Sequence, residues 1–442
     1  MLRKFIYGLC LVALLVIVGG YGYLHTKLPQ RSGEIVLPGL KHKVQVLFDE
    51  WAVPHIEAQN EHDAYLALGY LHAQDRLFQL ELMIRVAQGR LSEILGEDML
   101  DADRYFRTLG ISRFAETYAK DYFHKNPQNV KDALKAYLSG LNAFVSGGPT
   151  PIEFTLLGIP KRKYTIKDLI CIGVYMSYTF TNAVRQDPLL SYIHNTFGAG
   201  YLKDLAVYWP KDDTKIDVSS KSSGSELELA ELSFEIANVL SQAPPFFGSN
   251  AWAVSGSRTK SGKVILANDP HIGYAAPSTW YEAHLKTPDW ELYGHHIAGI
   301  PFAIIGHNRR MAWGVTMLQN DDLDFYLERT NPDNPDQVWF RDDWEDLRII
   351  EETIPVRDSE DYPLRIRISR HGPVINDVLE PVKERVKQPV ALSWQMLSDF
   401  ENSTEQVFYE LGHSKTLADT QAAVSKLHAP GLNISYGDAE GN

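Results

Sequence analysis

Cysteine is almost absent from this chain. Two occur in 442 residues, Cys10 and Cys171, so no disulfide framework staples the fold and buried apolar surface must hold it together. An excess of basic charge is also missing: 43 Lys and Arg stand against 56 Asp and Glu, a formal net charge of −13. A phosphate-binding face needs clustered cations. With no such stripe and no nucleic-acid motif, the sequence argues against DNA or RNA as a partner. No internal repeat is present. What remains is a globular composition, 44% hydrophobic and 22% charged, at a length that calls for two or more domains.

One long apolar run is present. Arg3 and Lys4 precede Phe5 to Leu24, a stretch without a charge, and about 20 such residues suffice to span a bilayer. The basic side stays in the cytoplasm, which exports the rest of the chain. A cleaved signal peptide is the competing reading, but it needs a shorter apolar core followed by a small-x-small site. The run ends instead in Gly19-Gly20-Tyr21-Gly22-Tyr23-Leu24-His25, with bulky aromatics where small residues belong. The pattern favours a retained membrane anchor within residues 1–30, and Cys10 lies inside it. Both readings place the protein outside the cytoplasm, in the periplasm or an equivalent compartment.

Beyond the anchor, Val44, Val46 and Phe48 alternate with Gln45, Leu47 and Asp49 and predict a strand. Trp51-Ala52-Val53-Pro54-His55 turns the chain. Asn60 and Asp63 have capping-box spacing for a helix. Leu77, Leu80, Ile84, Ala87, Leu91 and Leu95 then recur at helical intervals up to a stop at Gly96, and 130–145 and 166–185 are helical in the same way. Residues 31–218 thus form a mainly helical region. Residues 219–248 break it: a Ser-rich flexible stretch, a short helix over 226–240, and a Pro-rich loop, the composition of a spacer. From 249 onward strands take over. Trp252–Val254 and Val264–Ala267 flank a Ser/Gly turn as a hairpin, and 302–305, 364–368 and 389–394 are further strands.

At the junction lies Phe247-Gly248-Ser249-Asn250-Ala251-Trp252. If the Gly248–Ser249 peptide bond is cut, Ser249 carries a free α-amino group with a pKa near ~8, able to deprotonate the hydroxyl beside it near neutral pH. That arrangement makes a serine nucleophile without a His–Asp relay. Gly-Ser-Asn alone is also an ordinary turn sequence, so the argument needs more residues than these three.

Those residues exist. The runs 49–56 (Asp-Glu-Trp-Ala-Val-Pro-His-Ile), 69–80 (from Gly69-Tyr70-Leu71-His72 to Leu80) and 89–93 come first. Gly248-Ser249-Asn250-Ala251-Trp252, Ala267-Asn268-Asp269-Pro270-His271, Gly306-His307-Asn308, Ala312-Trp313-Gly314-Val315-Thr316 and Asp321-Asp322-Leu323-Asp324 follow in order. Together they resemble the penicillin acylase family of N-terminal nucleophile hydrolases, from about Val44 to the last residue. The resemblance implies an α+β fold, an αββα sandwich of two antiparallel sheets between helical layers. It also implies a precursor that cuts itself between Gly248 and Ser249 into α and β chains that stay together as a heterodimer. The reaction is hydrolysis of an N-acyl amide through an ester on Ser249.

The same resemblance assigns roles. It makes the backbone N–H of Met317 an oxyanion donor. It aligns His271 with a His that orients the nucleophile in cephalosporin and acyl-homoserine-lactone acylases. It lays an acyl pocket among Phe180, Val184, Ile272, Ile304 and Ile305. It makes Asp321, the Leu323 carbonyl and Asp324 ligands of one structural calcium ion, with Asp187 as the best match for an α-chain carboxylate; calcium takes such oxygen ligands. A second oxyanion donor, an Asn followed by an Arg, is expected beyond residue 442, so the sequence reads as the first part of a longer precursor. Adjacent His295 and His296 point to opposite faces of a strand and do not make a metal site. Two alternatives stay open: a family member that has lost catalysis and binds at the membrane, and a metal-dependent hydrolase. The substrate also stays open among penicillins, acyl-homoserine lactones and other N-acylated amines.

Overall fold

A single helix of 28 residues, α2 (Glu61–Gln88), organises the first half of the chain. It follows α1 (Leu2–His25), β1 (Gln45–Phe48) and β2 (Pro54–Glu57) in the computed structural model. The structure describes residues 2–181, 189–190, 193–194, 196–205, 246–318, 322–379, 382, 386–401 and 403–442. The Asn60 side chain accepts from the Asp63 N–H and starts α2. Gly89, at φ +61°, stops it by turning its N–H back onto the Arg85 and Val86 carbonyls. The sequence pattern had split this stretch and carried its second helix on to Leu95. The split is absent, and the extension fails for a physical reason: the buried Asp103 carboxylate takes the Leu91 and Ser92 N–H groups at 2.8 and 2.6 Å and starts the separate short helix α3 (Ser92–Leu95).

Next come α4 (Leu100–Leu109), α5 (Ile111–Thr117), α6 (Gln128–Gly147), α7 (Ile152–Leu157), α8 (Ile166–Phe180) and α9 (Ala199–Asp204). Helix α6 crosses α2 at a pair of glycines. A Cβ on Gly69 would sit 2.0 Å from the Tyr137 carbonyl oxygen, and one on Gly140 would sit 1.8 Å from that of Leu66. Only glycine lets the two backbones approach this closely. Helix α8 opens on a capping box between Thr165 and Asp168 and ends at Phe180, short of the expected 185. Of the other expectations, the spacer helix over 226–240, Val184, Asp187 and Asp321 lie outside the described residues.

The second half contributes β3 (Phe246–Val254), β4 (Ile265–Ile272), β5 (Trp280–Lys286), β6 (Glu291–Ile297), β7 (Ile300–Asn308) and β8 (Met311–Met317). Then follow β9 (Leu323–Leu327), β10 (Thr330–Asn331), β11 (Asn334–Phe340), β12 (Asp343–Asp346), β13 (Arg348–Ile354), β14 (Tyr362–Ile368) and β15 (Val390–Trp394). Helices α10 (Thr404–His413) and α11 (Leu417–Val424) and strand β16 (Leu432–Asp438) close the chain. The main sheet has the order β1-β2-β5-β6-β7-β8-β16. It is not purely antiparallel as expected: β2 joins β5 in parallel, because a strand of the first half docks on the edge of a meander from the second. Helices and a largely antiparallel sheet together make an α+β fold.

Helices α2, α6, α8 and α10 cover one face of this sheet, where Tyr65, Phe302, Tyr409 and Trp313 are buried. The β3–β4 hairpin lies over β8 and β16. Gly314 and Gly437 make room for it on the sheet's other face: a Cβ at either would strike Asn268 at 2.8 Å or Val264 at 2.6 Å. Apart from this body, α1 is exposed along its length, and Arg3–His25 is long and apolar enough to cross a membrane.

Candidate active site

Ser249 sits in the middle of β3, with the chain continuous through Gly248 into Phe246. Gly248 has φ +148°, a conformation that side-chain-bearing residues rarely adopt. Across the hairpin Ser249 faces Pro270, Gly248 faces His271 and Asn250 faces Asp269. Pro270 has no N–H, so the rung opposite Ser249 lacks a donor. Strand alternation sends the Ser249 side chain to one face and those of Asn250, Asp269 and His271 to the other.

On its own face the Ser249 hydroxyl meets the end of β8. The Met317 backbone N–H donates to Ser249 Oγ at 3.1 Å. Two side chains that sequence reasoning left without a role hold this peptide in place. Asn433, on β16, donates to the Met317 carbonyl at 3.3 Å and to Thr316 Oγ1 at 3.2 Å. Asn268 ties the hairpin to β8: its Nδ2 donates to the Asn250 and Val315 carbonyls at 3.0 Å each, and its Oδ1 accepts from the Val315 N–H at 2.8 Å. Asn268 stands inside the run 267–271, three residues before His271, and nothing else in the sequence sets it apart from other polar strand residues. The buried Trp313 secures β8 to β7 by donating Nε1–H to the Ile304 carbonyl at 3.0 Å.

Ser249 also lines an internal cavity of about 90 Å³. Its walls are mostly apolar: Val174 and Phe180 from α8, Ile304 from β7, Val315 from β8 and Phe408 from α10 are among them. Of the expected pocket residues, Phe180 and Ile304 line this space. Ile305 does not, because it follows Ile304 in the strand and points to the opposite face, and Ile272 ends β4 away from the cavity.

His271 is half-exposed. Its Nε2 lies 3.0 Å from Asp269 Oδ2 and 3.4 Å from Asn250 Nδ2. These contacts run along the open face of the hairpin beside Gly248, and not to the Ser249 hydroxyl. Further away, Leu323 is buried at the start of β9, paired with Trp394. Burial raises the carboxyl of the neighbouring Asp324 above the usual carboxylate range. Among the described residues no cluster of three His, Cys, Asp or Glu side chains is placed to hold a metal ion. His296 is buried and His295 half-buried on the opposite face of β6, as their alternation required.

The arrangement sets a hydroxyl under a fixed backbone donor at the wall of a largely apolar cavity. Such a donor can stabilise negative charge that develops on an oxygen nearby. A family model for penicillin amidase matches residues 43–442. The acyl-homoserine lactone acylase QuiP of Pseudomonas aeruginosa is 27% identical over 426 residues, which cover 93% of this chain and 50% of that protein. The penicillin acylase 2 proenzyme of Pseudomonas sp. strain SE83 is 35% identical over 375 residues, covering 81% and 47%. Among solved structures, a thermostable penicillin G acylase from Alcaligenes faecalis aligns at 25% identity with a TM-score of 0.39, over 43% of this chain and 33% of that one. The chain spans about half the length of the curated relatives it matches.

Proposed function

The chain belongs to the penicillin amidase family, and from that premise we propose that it is the first part of a self-cleaving acylase that hydrolyses N-acyl amides through Ser249. The observation that carries this reading is the 3.1 Å hydrogen bond from the Met317 N–H to the Ser249 hydroxyl at the wall of an apolar cavity. Cleavage of Gly248–Ser249 gives Ser249 its own α-amine. The amine takes the hydroxyl proton as Oγ attacks the acyl carbon, the Met317 N–H stabilises the tetrahedral oxyanion, and the C–N bond breaks as the leaving amine gains a proton. Water then hydrolyses the ester and returns the proton to Oγ. The names of the relatives, a lactone acylase and a penicillin acylase, support an acylated amine as substrate, with the acyl part in the cavity.

His271 stands beside the peptide to be cut, braced by Asp269 and Asn250, and its role is to orient the nucleophile once the chain is open. The finer fold follows the family: the β3–β4 hairpin belongs to the second sheet of an αββα sandwich. Asp324 and the Leu323 carbonyl, with Asp321 and Asp187 from outside the described residues, would hold a structural calcium ion. Asp324 supports this as a half-buried carboxylate for which a cation would offset the desolvation. Helix α1 anchors an exported, two-chain protein to the membrane.

The test is intact mass and N-terminal sequencing of the intact gene product beside a Ser249→Ala variant. A fragment beginning Ser249-Asn250-Ala251-Trp252 in the wild type, with one uncut chain in the variant, is expected. A folded, soluble wild type that stays uncut would sink the mechanism and favour the non-catalytic binding protein.

A further inference from the structure

The cavity beside Ser249 is not apolar throughout. Glu405, in the first turn of α10, lines it together with Ser249. The residue is part-buried, with its carboxyl desolvated, and it forms part of the cavity wall. Its own backbone N–H gives this carboxyl a hydrogen bond, and its charge reaches Tyr118 in the same cavity wall, but no side chain among the described residues hydrogen-bonds or ion-pairs with it. Across the cavity stands Gly173 of α8, where a Cβ would come within 3.9 Å of Glu405 Oε1. That distance is ordinary contact, so Gly173 stands directly beside the carboxyl.

A helix N-terminus favours an acidic residue, but that explains the position of Glu405 and not a carboxyl without a side-chain partner at a cavity wall. The cap itself is already supplied by Ser403, whose hydroxyl accepts from the Gln406 N–H at 3.4 Å. Burial raises the Glu405 carboxyl above its ordinary range, the mark of a polar group whose lost water its own backbone N–H only partly replaces. A Leu of similar size would line the same wall at no such cost.

We infer that Glu405 is a specificity-determining residue, selecting acyl groups that carry a hydrogen-bond donor, a hydroxyl, amide or ammonium, over plain hydrocarbon chains. The inference rests on the reading above, in which this cavity receives the acyl group. A donor on the acyl chain adds to the single backbone hydrogen bond that Glu405 has, while a plain chain buries the carboxyl and adds none. Hydrogen bonds to charged groups are among the stronger ones, so about 10–100-fold discrimination is expected.

The experiment uses the intact gene product and a series of N-octanoyl amides with one hydroxyl placed at successive carbons. It reads both kcat/KM and the calorimetric affinity of the matching free primary amides. In the wild type one hydroxyl position should be preferred over the plain chain by about 10–100-fold. Glu405→Leu should abolish that preference and improve the plain chain, and Glu405→Gln should keep most of it. If Glu405→Leu changes plain and hydroxylated chains by the same factor, Glu405 only supports the helix and the inference falls. Turnover without any hydroxyl preference overturns the inference and leaves the hydrolase. A Glu405-dependent binding preference without turnover upholds the inference and overturns the hydrolase.

Discussion

The two faces of strand β3 differ sharply. The face carrying Ser249 looks into the protein, toward a backbone donor on β8 and an apolar cavity. The face carrying Asn250, with Asp269 and His271 opposite, is open to solvent. Chemistry that needs a positioned donor and excluded water is built from main chain and hydrocarbon on the inner face, where geometry is held by the fold. Groups that exchange protons and charge lie on the outer face, where hydration stabilises them. One peptide, Gly248–Ser249, belongs to both faces, and that is where the chain is proposed to open.

The comparison breaks most completely at Met317. Met317→Pro removes the N–H that donates to Ser249, and turnover should fall about 100–1000-fold. Met317→Ala keeps that N–H and should change turnover only slightly. A large loss in the Ala variant, measured as kcat in the processed enzyme, would move the role from backbone to side chain.

Asn268 joins the two layers. In Asn268→Ala both polar groups of Val315 lose their side-chain partner, at about 1–3 kcal/mol each. Thermal unfolding should show the loss, and the first-order rate of processing should drop with it. Normal stability together with normal processing would show that the hairpin does not need this tie.

A smaller effect separates buried from exposed histidines. His72 of α2 and His296 of β6 meet ring to ring at 5.8 Å between helix layer and sheet. Burial lowers both pKa values, His296 down to about 3. An imidazole kept neutral in the fold and free to protonate when unfolded contributes stability above the unfolded value near ~6.5, and loses it as pH falls from there toward about 3. Each such group should cost about 2 kcal/mol by about pH 5. Unfolding measured against pH should show this acid limb, and His296→Leu should flatten it. The smallest effect expected is from chelation: if calcium is structural, EDTA should slow maturation and lower Tm by a few degrees, about 1 kcal/mol, without stopping turnover of enzyme already cut. Immediate loss of turnover would point to a metal-dependent hydrolase.

Much of this was legible because local rules decided it. The Asn60 cap, the hairpin around 255–264 and the alternation of His295 and His296 all follow from neighbours in sequence. What escaped depends on distant partners. Asp103 ends the helical run at Gly89 from a position later in the chain, and β2 finds a parallel neighbour far downstream in β5. Asn268 and Asn433 look like ordinary polar strand residues until β8 is laid between them. Glu405 reads as a helix-start acid until α8 and the cavity face it.

The continuity of β3 through Gly248 has its own consequence. Before any cut, Phe246 is laddered to Ile272 and Gly248 to His271. Severing the peptide would not by itself empty the site, because the departing end would still be zipped to β4, its last carbonyl next to the new amine. The first molecule to compete with substrate would be the protein's own tail. The delay between chain scission and full activity would then be set by how fast a few backbone hydrogen bonds let go, a lag that lengthens or shortens with that ladder and not with the acyl chemistry.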